Sequence, residues 1–200
     1  YTVGVIPFSL ILPLAIAIHP ATGNLYVADS ANHRVVVLSE TGQFICTMGA
    51  QGPGGHGLFD VPRGLAIHPE SGHVYICDSR NHCIQVWTDS GEFVHQFGSH
   101  GTKPGQLDRP FHVALQPADD EVYVTESQNH RVSVFTTSGA FRRCFGSRGS
   151  QPGQMSCPRG IALHPSLPEV VVADSKNHRL QIFHRNGSFL RTFGSVGQLP

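Results

Sequence analysis

The stretch DSRNHC, residues 78–83, brings together side chains that could do chemistry. It places a carboxylate, a hydroxyl, an imidazole and a thiol close together, and these groups serve in general acid–base and nucleophilic catalysis. The thiol of Cys83 follows the imidazole of His82 directly. Because neighbouring side chains of an extended segment point to opposite faces, these two are not expected to form a catalytic dyad.

The Asn-His pair of this stretch occurs four times, at intervals of 49, 48 and 48 residues. An acidic residue and a serine precede each pair, and an opening proline, a turn glycine and a closing Phe-Gly or Met-Gly pair keep the same register. A catalytic group is normally assembled once, so a group repeated at a fixed period is interpreted as part of each structural unit. The predicted structural turn residues are Asp29, Asn32, His33, Asp78, Asn81, His82, Asn129, His130, Asp174, Asn177 and His178.

The residue types of this repeated group suit a turn. Acidic and serine side chains form hydrogen bonds with nearby backbone, and asparagine tolerates left-handed backbone geometry. These properties are those expected of a tight turn. We predict that the histidine ties the turn to an adjacent strand through one ring nitrogen.

The unit that contains this turn has the pattern of four short strands. In residues 62–98, the segments RGLAIHP, HVYICDS, CIQVWT and EFVHQFG are rich in β-forming residues and are separated by turn residues. No segment shows a sustained helical period. A four-stranded antiparallel unit repeated at this length predicts a β-propeller blade, whose faces are buried only by neighbouring blades.

The four copies resemble a known family. The segments NLYVADSANHRVVVL, HVYICDSRNHCIQVW, EVYVTESQNHRVSVF and VVVADSKNHRLQIF are similar to NHL repeats, named for an Asn-His-Leu motif of which this chain keeps the Asn-His. The resemblance implies a β-propeller, most often of six blades, that acts as a binding platform. Such domains follow RING and B-box modules in tripartite-motif ubiquitin ligases, and some bind RNA across the top face. One branch, the peptidyl-amidating lyases, holds zinc in the central channel.

The predicted architecture is therefore all-β, a single NHL-repeat β-propeller domain over residues 1–200. Residues 1–12 form a divergent N-terminal segment, and the blades span about 13–49, 62–98, 110–146 and 158–194. Four units are fewer than six, so we expect a partial or truncated propeller. Neighbouring blades or a second chain would then complete the ring.

Basic residues of the turns and linkers are predicted to share one face of the propeller. The net charge is zero, but three of the fourteen lysines and arginines lie in residues 1–100 and eleven in residues 101–200. The predicted partner- or RNA-binding residues are Arg34, Arg63, Arg80, Lys103, Arg109, Phe111, Arg131, Arg148, Arg159, Lys176 and Arg179. A protein partner is the leading interpretation and single-stranded RNA the alternative. Pairing of these arginines with the repeated acids stays open.

Three histidines precede a proline near the ends of the first strands: His19, His68 and His164. They could converge on the propeller axis and bind zinc, which keeps a lyase-like enzyme as a further alternative. Gln116 interrupts the series, and histidine before proline also suits a turn. We therefore predict no metal, no cofactor and no enzymatic activity.

The cysteines and the apolar N-terminus bear on the cellular location. The five cysteines form no CxxC pair, which indicates reduced thiols and predicts a cytoplasmic protein. The first 18 residues carry no charge, but Pro7 and Pro13 interrupt them. A membrane helix is therefore not expected there.

Overall fold

The computed structural model describes residues 9–52, 56–195 and 197. Residues 1–8 of the predicted N-terminal segment lie outside this range, so the fold described here begins at Ser9. Apart from short 3-10 turns, such as Ser30–Asn32 and Ser175–Asn177, the regular elements are strands. No helix in the described ranges has the length and hydropathy needed to span a membrane.

The strands form four antiparallel sheets of four strands each, one for every predicted unit. Blade I contains β1 Pro13–Ile18, β2 Leu25–Asp29, β3 Arg34–Leu38 and β4 Phe44–Met48, and the linker after it adds β5 Ala50–Gln51 and β6 Leu58–Phe59. Blade II contains β7 Pro62–Ile67, β8 Val74–Asp78, β9 Cys83–Trp87 and β10 Phe93–Phe97. Blade III contains β11 Pro110–Gln116, β12 Glu121–Glu126, β13 Arg131–Phe135 and β14 Phe141–Phe145. Blade IV contains β15 Pro158–Leu163, β16 Glu169–Asp174, β17 Arg179–His184 and β18 Phe189–Phe193.

The sequence pattern of each strand matches its place in the blade. In blade II the two middle strands, β8 and β9, are buried at every residue, because a neighbouring blade covers each face of the sheet. The outermost strand β10 alternates, with Phe93 and Phe97 turned inward and Val94 exposed. These two patterns are what a blade between two other blades requires.

Among the described residues, the hydrophobic core forms three clusters, one at each junction between successive blades. Each cluster takes residues from both blades; at the junction of blades I and II they include Tyr26, Val35, Met48, Leu65, Ile76 and Trp87. Equivalent clusters join blade II to blade III and blade III to blade IV. The innermost strands β1, β7, β11 and β15 pack side by side in chain order. The predicted fold class, an all-β propeller of four-stranded blades, is confirmed.

A glycine and a linker side chain lock each junction. Gly98 follows β10 at φ 89°, and a Cβ placed there would lie 2.6 Å from Cδ1 of Leu107 in the next linker. Gly146 has the same relation to Met155. We call this linker side chain the junction plug, and the glycine against which it packs the seat.

The outer faces of blades I and IV are apolar and open within the described chain. Phe193 of blade IV is 54% exposed, whereas its counterpart Phe145 of blade III is 8% exposed. On blade I, Ile16 and Ile18 are exposed as well. At the junctions between blades, the equivalent faces are covered by a neighbouring blade. Open faces on the first and last blades are therefore consistent with a truncated propeller.

Candidate functional site

The repeated turn is built around a buried carboxylate. In blade IV, Oδ2 of Asp174 accepts hydrogen bonds from Nδ2 of Asn177 and Nε of Arg179, both at 2.8 Å. Its Oδ1 accepts from the backbone N–H of Ser156 in the preceding linker at 2.6 Å. Asp29 and Glu126 occupy the same place in blades I and III. One carboxylate therefore joins the turn, a strand and the linker.

The left-handed position of the turn belongs to the histidine and not to the asparagine. His33, His82, His130 and His178 have φ between 52° and 56°. The asparagine tolerates this geometry but lies one residue earlier in the turn, where its side-chain amide donates to the carboxylate. The next residue must then reverse the chain direction into the third strand.

The histidine ring connects each blade to the next. Nδ1 of His33 accepts a hydrogen bond from the backbone N–H of Val61 at 3.2 Å. Nδ1 of His82 accepts from Arg109, and Nδ1 of His130 accepts from Cys157, at 3.2 and 3.0 Å. Each donor directly precedes the proline that opens the following blade. The ring therefore bonds to the following linker and not to an adjacent strand of its own sheet.

Three arginines of the predicted binding face instead pair with acidic residues inside the turns. The Nε atoms of Arg34, Arg131 and Arg179 lie 2.7–2.9 Å from the buried carboxylates of their own blades. The guanidinium groups of Arg131 and Arg179 also donate to linker carbonyl groups. These side chains are engaged in the structure of the turn, so they are not available to a phosphate or an acidic partner.

Blade II lacks this arginine. Cys83 takes its place, and Asp78 accepts only from neutral donors, including Nδ2 of Asn81 and Nε2 of Gln85 at 2.8 Å. Burial of the carboxyl group raises the pKa of Asp78 to about 6. Burial also raises the pKa of the Cys83 thiol to about 12, so this thiol is not a nucleophile near neutral pH.

The best candidate site is a cluster of residues from three innermost strands. Arg63, Phe111 and Arg159 each follow the proline that opens their blade, and a register shift marks the same point of each strand. The guanidinium carbons of Arg63 and Arg159 lie 4.5 and 5.2 Å from the centroid of the Phe111 ring. Leu14 holds the equivalent place in blade I and is exposed. We call Leu14, Arg63, Phe111 and Arg159 the axial row.

The axial row is cationic and has no internal counter-ion. In the parts of the chain that the structure describes, no carboxylate lies within 4.0 Å of the guanidinium of Arg63 or Arg159, and neither donates a hydrogen bond. Nε of Arg63 is buried without a partner. Burial lowers the pKa of Arg63, and the charges of Arg159 and Arg109 lower it further. An anion at this place would relieve both effects.

The other predicted basic residues are dispersed over turns and linkers. Arg80 lies 3.8 Å from Asp60 and is exposed, so this pair contributes little. Four further side chains are exposed and have no ion-pair partner among the described residues: Lys103, Arg109, Arg148 and Lys176. They contribute positive charge around the axial row without forming a defined site.

The three histidines that precede proline do not converge on a metal. Nδ1 of His19, His68 and His164 accepts two backbone N–H groups of the turn that follows each of them. Their role is therefore to shape the hairpin between the first and second strands. This edge of the blade is opposite to the edge that carries the Asn-His turns.

Sequence reasoning missed one cluster, formed by His82, His100 and Asp108. His100 and Asp108 lie in the linker after blade II. The signal available in the sequence is that both depart from the repeat. Gln51 and Arg148 stand in place of His100 in the neighbouring linkers, and Ser156 stands in place of Asp108 in the next one.

Comparison with models of protein families shows which family the repeats belong to. The family model described as NHL repeat matches residues 10–38, 59–87 and 155–183. The chain belongs to the NHL-repeat family. The matched ranges begin near the junction plugs and end with the third strand of blades I, II and IV. Blade III, with Glu126 and Gln116 in place of Asp and His, lies outside them.

Solved structures show the same fold at low sequence identity. A catalytically inactive virginiamycin B lyase from Staphylococcus aureus with quinupristin is 18% identical with a TM-score of 0.72, covering 96% of this chain and 58% of that one. A streptogramin B lyase is 15% identical with a TM-score of 0.69, covering 90% and 54%. Kuenenia stuttgartiensis hydrazine synthase is 16% identical with a TM-score of 0.71, covering 97% and 52%. The chain therefore spans little more than half the length of these structures. No curated protein matches it.

Proposed function

We propose that this NHL-repeat chain is a non-enzymatic binding scaffold whose axial row recognises an acidic segment of a partner protein. The observation that carries the proposal is the cluster of Arg63 and Arg159 around Phe111, without a carboxylate partner among the described residues. Arginine binds carboxylates through paired, charge-assisted hydrogen bonds. The innermost strands fix the backbone of both arginines, and both guanidinium groups pack on the Phe111 ring.

Protein carboxylates fit this site better than RNA does. Binding of RNA draws on many phosphate contacts, and three of the predicted basic residues are already paired inside the turns. The ring of Phe111 is also engaged by two guanidinium groups, so a base could stack on it only after displacing one of them. Exposed Leu14 adds an apolar contact that suits a peptide.

Binding of a labelled peptide tests the proposal. The probes are fluorescein-labelled hexaglutamate, hexalysine and oligouridine, titrated with the purified chain at low and physiological salt. We expect hexaglutamate to bind most tightly, and its affinity to fall with salt. Loss of one charge-assisted hydrogen bond costs about 1.5–3 kcal/mol. The double variant Arg63→Gln, Arg159→Gln should therefore lose about tenfold or more in affinity.

Arg148→Gln is the matched control, because Arg148 is exposed and lies in a linker outside the axial row. It should bind hexaglutamate like the unmodified chain, apart from a small general effect of charge. Absence of hexaglutamate binding at low salt, or equal losses in control and double variant, would refute the proposal. Tighter binding of oligouridine would favour the RNA function instead.

We further propose a setting for this binding function, on the basis of the family resemblance alone. In a tripartite-motif ubiquitin ligase, such a face would select the substrate, with catalysis residing in another module. The described residues contain five cysteines, all as free thiols, which supports the proposed cytoplasmic location. The burial of Cys77 and Cys83 and the turn role of the histidines support a non-enzymatic chain.

A further inference from the structure

We propose that His82, His100 and Asp108 form a zinc-binding site at the junction of blades II and III. Each side chain offers one ligand atom, and the three atoms lie within 4.8 Å of one another. Two imidazoles and a carboxylate form a donor set that zinc accepts, with water in the fourth position. Zinc bound here would link the turn of blade II to the linker that leads into blade III.

The spacing of the ligand atoms is close to that of a zinc centre. Oδ1 of Asp108 lies 3.1 Å from Nδ1 of His82, and its Oδ2 lies 3.8 Å from Nε2 of His100. Ligand atoms bonded at about 2.0–2.2 Å to a tetrahedral ion are separated by about 3.4 Å. The ring centroids of the two histidines lie 4.2 Å apart, with the ring planes tilted by 48°. Each histidine thus already lies beside a carboxylate oxygen of Asp108, and rotation of these side chains would bring the three ligands around one ion.

The fold fixes the backbone of all three ligand residues before any metal binds. His82 has a left-handed backbone at the end of the turn, and Asp108 directly follows Leu107, the buried plug of this junction. His100 is bridged to Leu107 by backbone pairing. Nδ1 of His82 accepts the N–H of Arg109 at 3.2 Å, and the zinc ion takes the place of this donor.

The surroundings provide room and one opposing charge. The cluster opens into a polar surface pocket that Arg109 and Gln128 also line. The amide oxygen of Gln128 is a further candidate ligand for the fourth position. The positive charge of Arg109 opposes a cation, but this side chain is exposed and can turn into solvent.

The site is particular to this junction, which separates it from the repeated structure. The junction of blades I and II has His33 and Asp60 at 3.5 Å but Gln51 in place of His100. The junction of blades III and IV has Arg148 and Ser156 at the two linker places. The chain therefore contains natural replacements for both linker ligands within the same fold.

Zinc titration of the full chain tests the proposal. After dialysis against a chelator, the chain is titrated with zinc chloride by calorimetry at pH 7.5, and we expect one zinc ion per chain at this site. His100→Gln and Asp108→Ser copy the other junctions and should therefore fold. Each should lower the affinity by about tenfold or more, because loss of even an outer-shell partner costs 10–100-fold. His73→Gln, on the opposite edge of blade II, is the control and should bind normally.

Cobalt absorption distinguishes this site from the thiols. Bound Co²⁺ should show d–d bands without sulfur-to-metal charge transfer, since the ligands are nitrogen and oxygen. Thermal unfolding of the unmodified chain should shift to higher temperature with zinc, and the shift should disappear in His100→Gln. Zinc affinity that is unchanged in both ligand variants, absence of binding, or a thiolate band that persists in them would each overturn the assignment.

Discussion

Blades II and III are neighbours, yet each stabilises the buried carboxylate of its own turn in a different way. In blade III, Nε of Arg131 lies 2.7 Å from Oε1 of Glu126. In blade II, Cys83 stands in the place of the arginine, and Asp78 accepts hydrogen bonds from neutral donors only. The turn geometry is nevertheless the same, with the following histidines at φ 56° and 55°. The turn therefore requires donors for its carboxylate but does not require a cation.

Because Asp78 of blade II accepts hydrogen bonds from neutral donors only, the pKa of its carboxyl group stays raised. Gln85 donates to Asp78 and accepts from Nε1 of Trp87 at 3.2 Å, so the indole orients the amide. These bonds lower the pKa of Asp78 less than burial raises it, and the result is a pKa of about 6. Blade IV combines both solutions, because Arg179 and Gln181 donate to one Asp174.

The largest expected effect comes from making blade III resemble blade II. Arg131→Cys leaves the buried carboxylate of Glu126 without its counter-ion and removes donors from the carbonyl groups of Thr102 and Gln106. Breaking a buried pair typically costs about 3–5 kcal/mol in the free energy of unfolding. Urea unfolding measures this loss. Arg148→Cys, at an exposed arginine, should change stability by about 0.5 kcal/mol or less. A loss below about 1 kcal/mol for Arg131→Cys would contradict the importance of the pair.

The reverse exchange, Cys83→Arg, should stabilise blade II at pH 7. Blade IV shows that arginine and glutamine fit around one carboxylate. The raised pKa of Asp78 means that the folded chain binds the proton more tightly than the unfolded chain between about pH 4 and pH 6. The cost of the ionised group is thus present above pH 6 and disappears as the pH falls toward 4.

We therefore expect Cys83→Arg to gain about 1–2 kcal/mol at pH 7 and to lose this advantage by pH 4. The measurement is the difference in unfolding free energy between variant and unmodified chain at several pH values. Burial lowers the pKa of His82 and His130, so acid also destabilises both proteins through histidine. Taking the difference removes that shared effect. An advantage that is independent of pH would show that Asp78 is not its source.

The smallest effect should be the same at both junctions. Nδ1 of His82 and Nδ1 of His130 each accept one backbone N–H of the next linker. His82→Ala and His130→Ala, measured in zinc-free buffer, should each lose about 0.5–1.5 kcal/mol, because alanine has no acceptor for this N–H. Similar losses would restrict the difference between the two blades to the acid and its donors. Losses that differ by more than about 1 kcal/mol would extend that difference to the histidine.

The fold could be predicted because the residue pattern of each strand can be recognised within a single repeat. Alternation in segments such as EFVHQFG and continuous apolar runs such as VYIC distinguish outer from middle strands without knowledge of the neighbours. The position of the left-handed residue was missed because both Asn and His tolerate it, and only the hydrogen bond of the asparagine amide decides between them.

The candidate site was harder to predict because its residues come from different blades. Residue types alone did not show that Arg131 pairs inside its own turn, whereas Arg63 has no ion-pair partner among the described residues. The approach of Arg63, Phe111 and Arg159 depends on how the innermost strands pack side by side, which a linear pattern does not contain. The cluster of His82 with His100 and Asp108 depends on the path of a linker, where no periodicity guides interpretation.

The junction plugs and their seats determine which substitutions the propeller tolerates. The plug is Phe59, Leu107 or Met155 in successive linkers, whereas the seat is Gly49, Gly98 or Gly146. A single methyl group on the seat would occupy space that the plug already fills, but the plug itself accepts three different shapes. Substitution of one of these glycines should therefore be more damaging than exchange of one apolar plug for another, although the glycine has no side chain to lose.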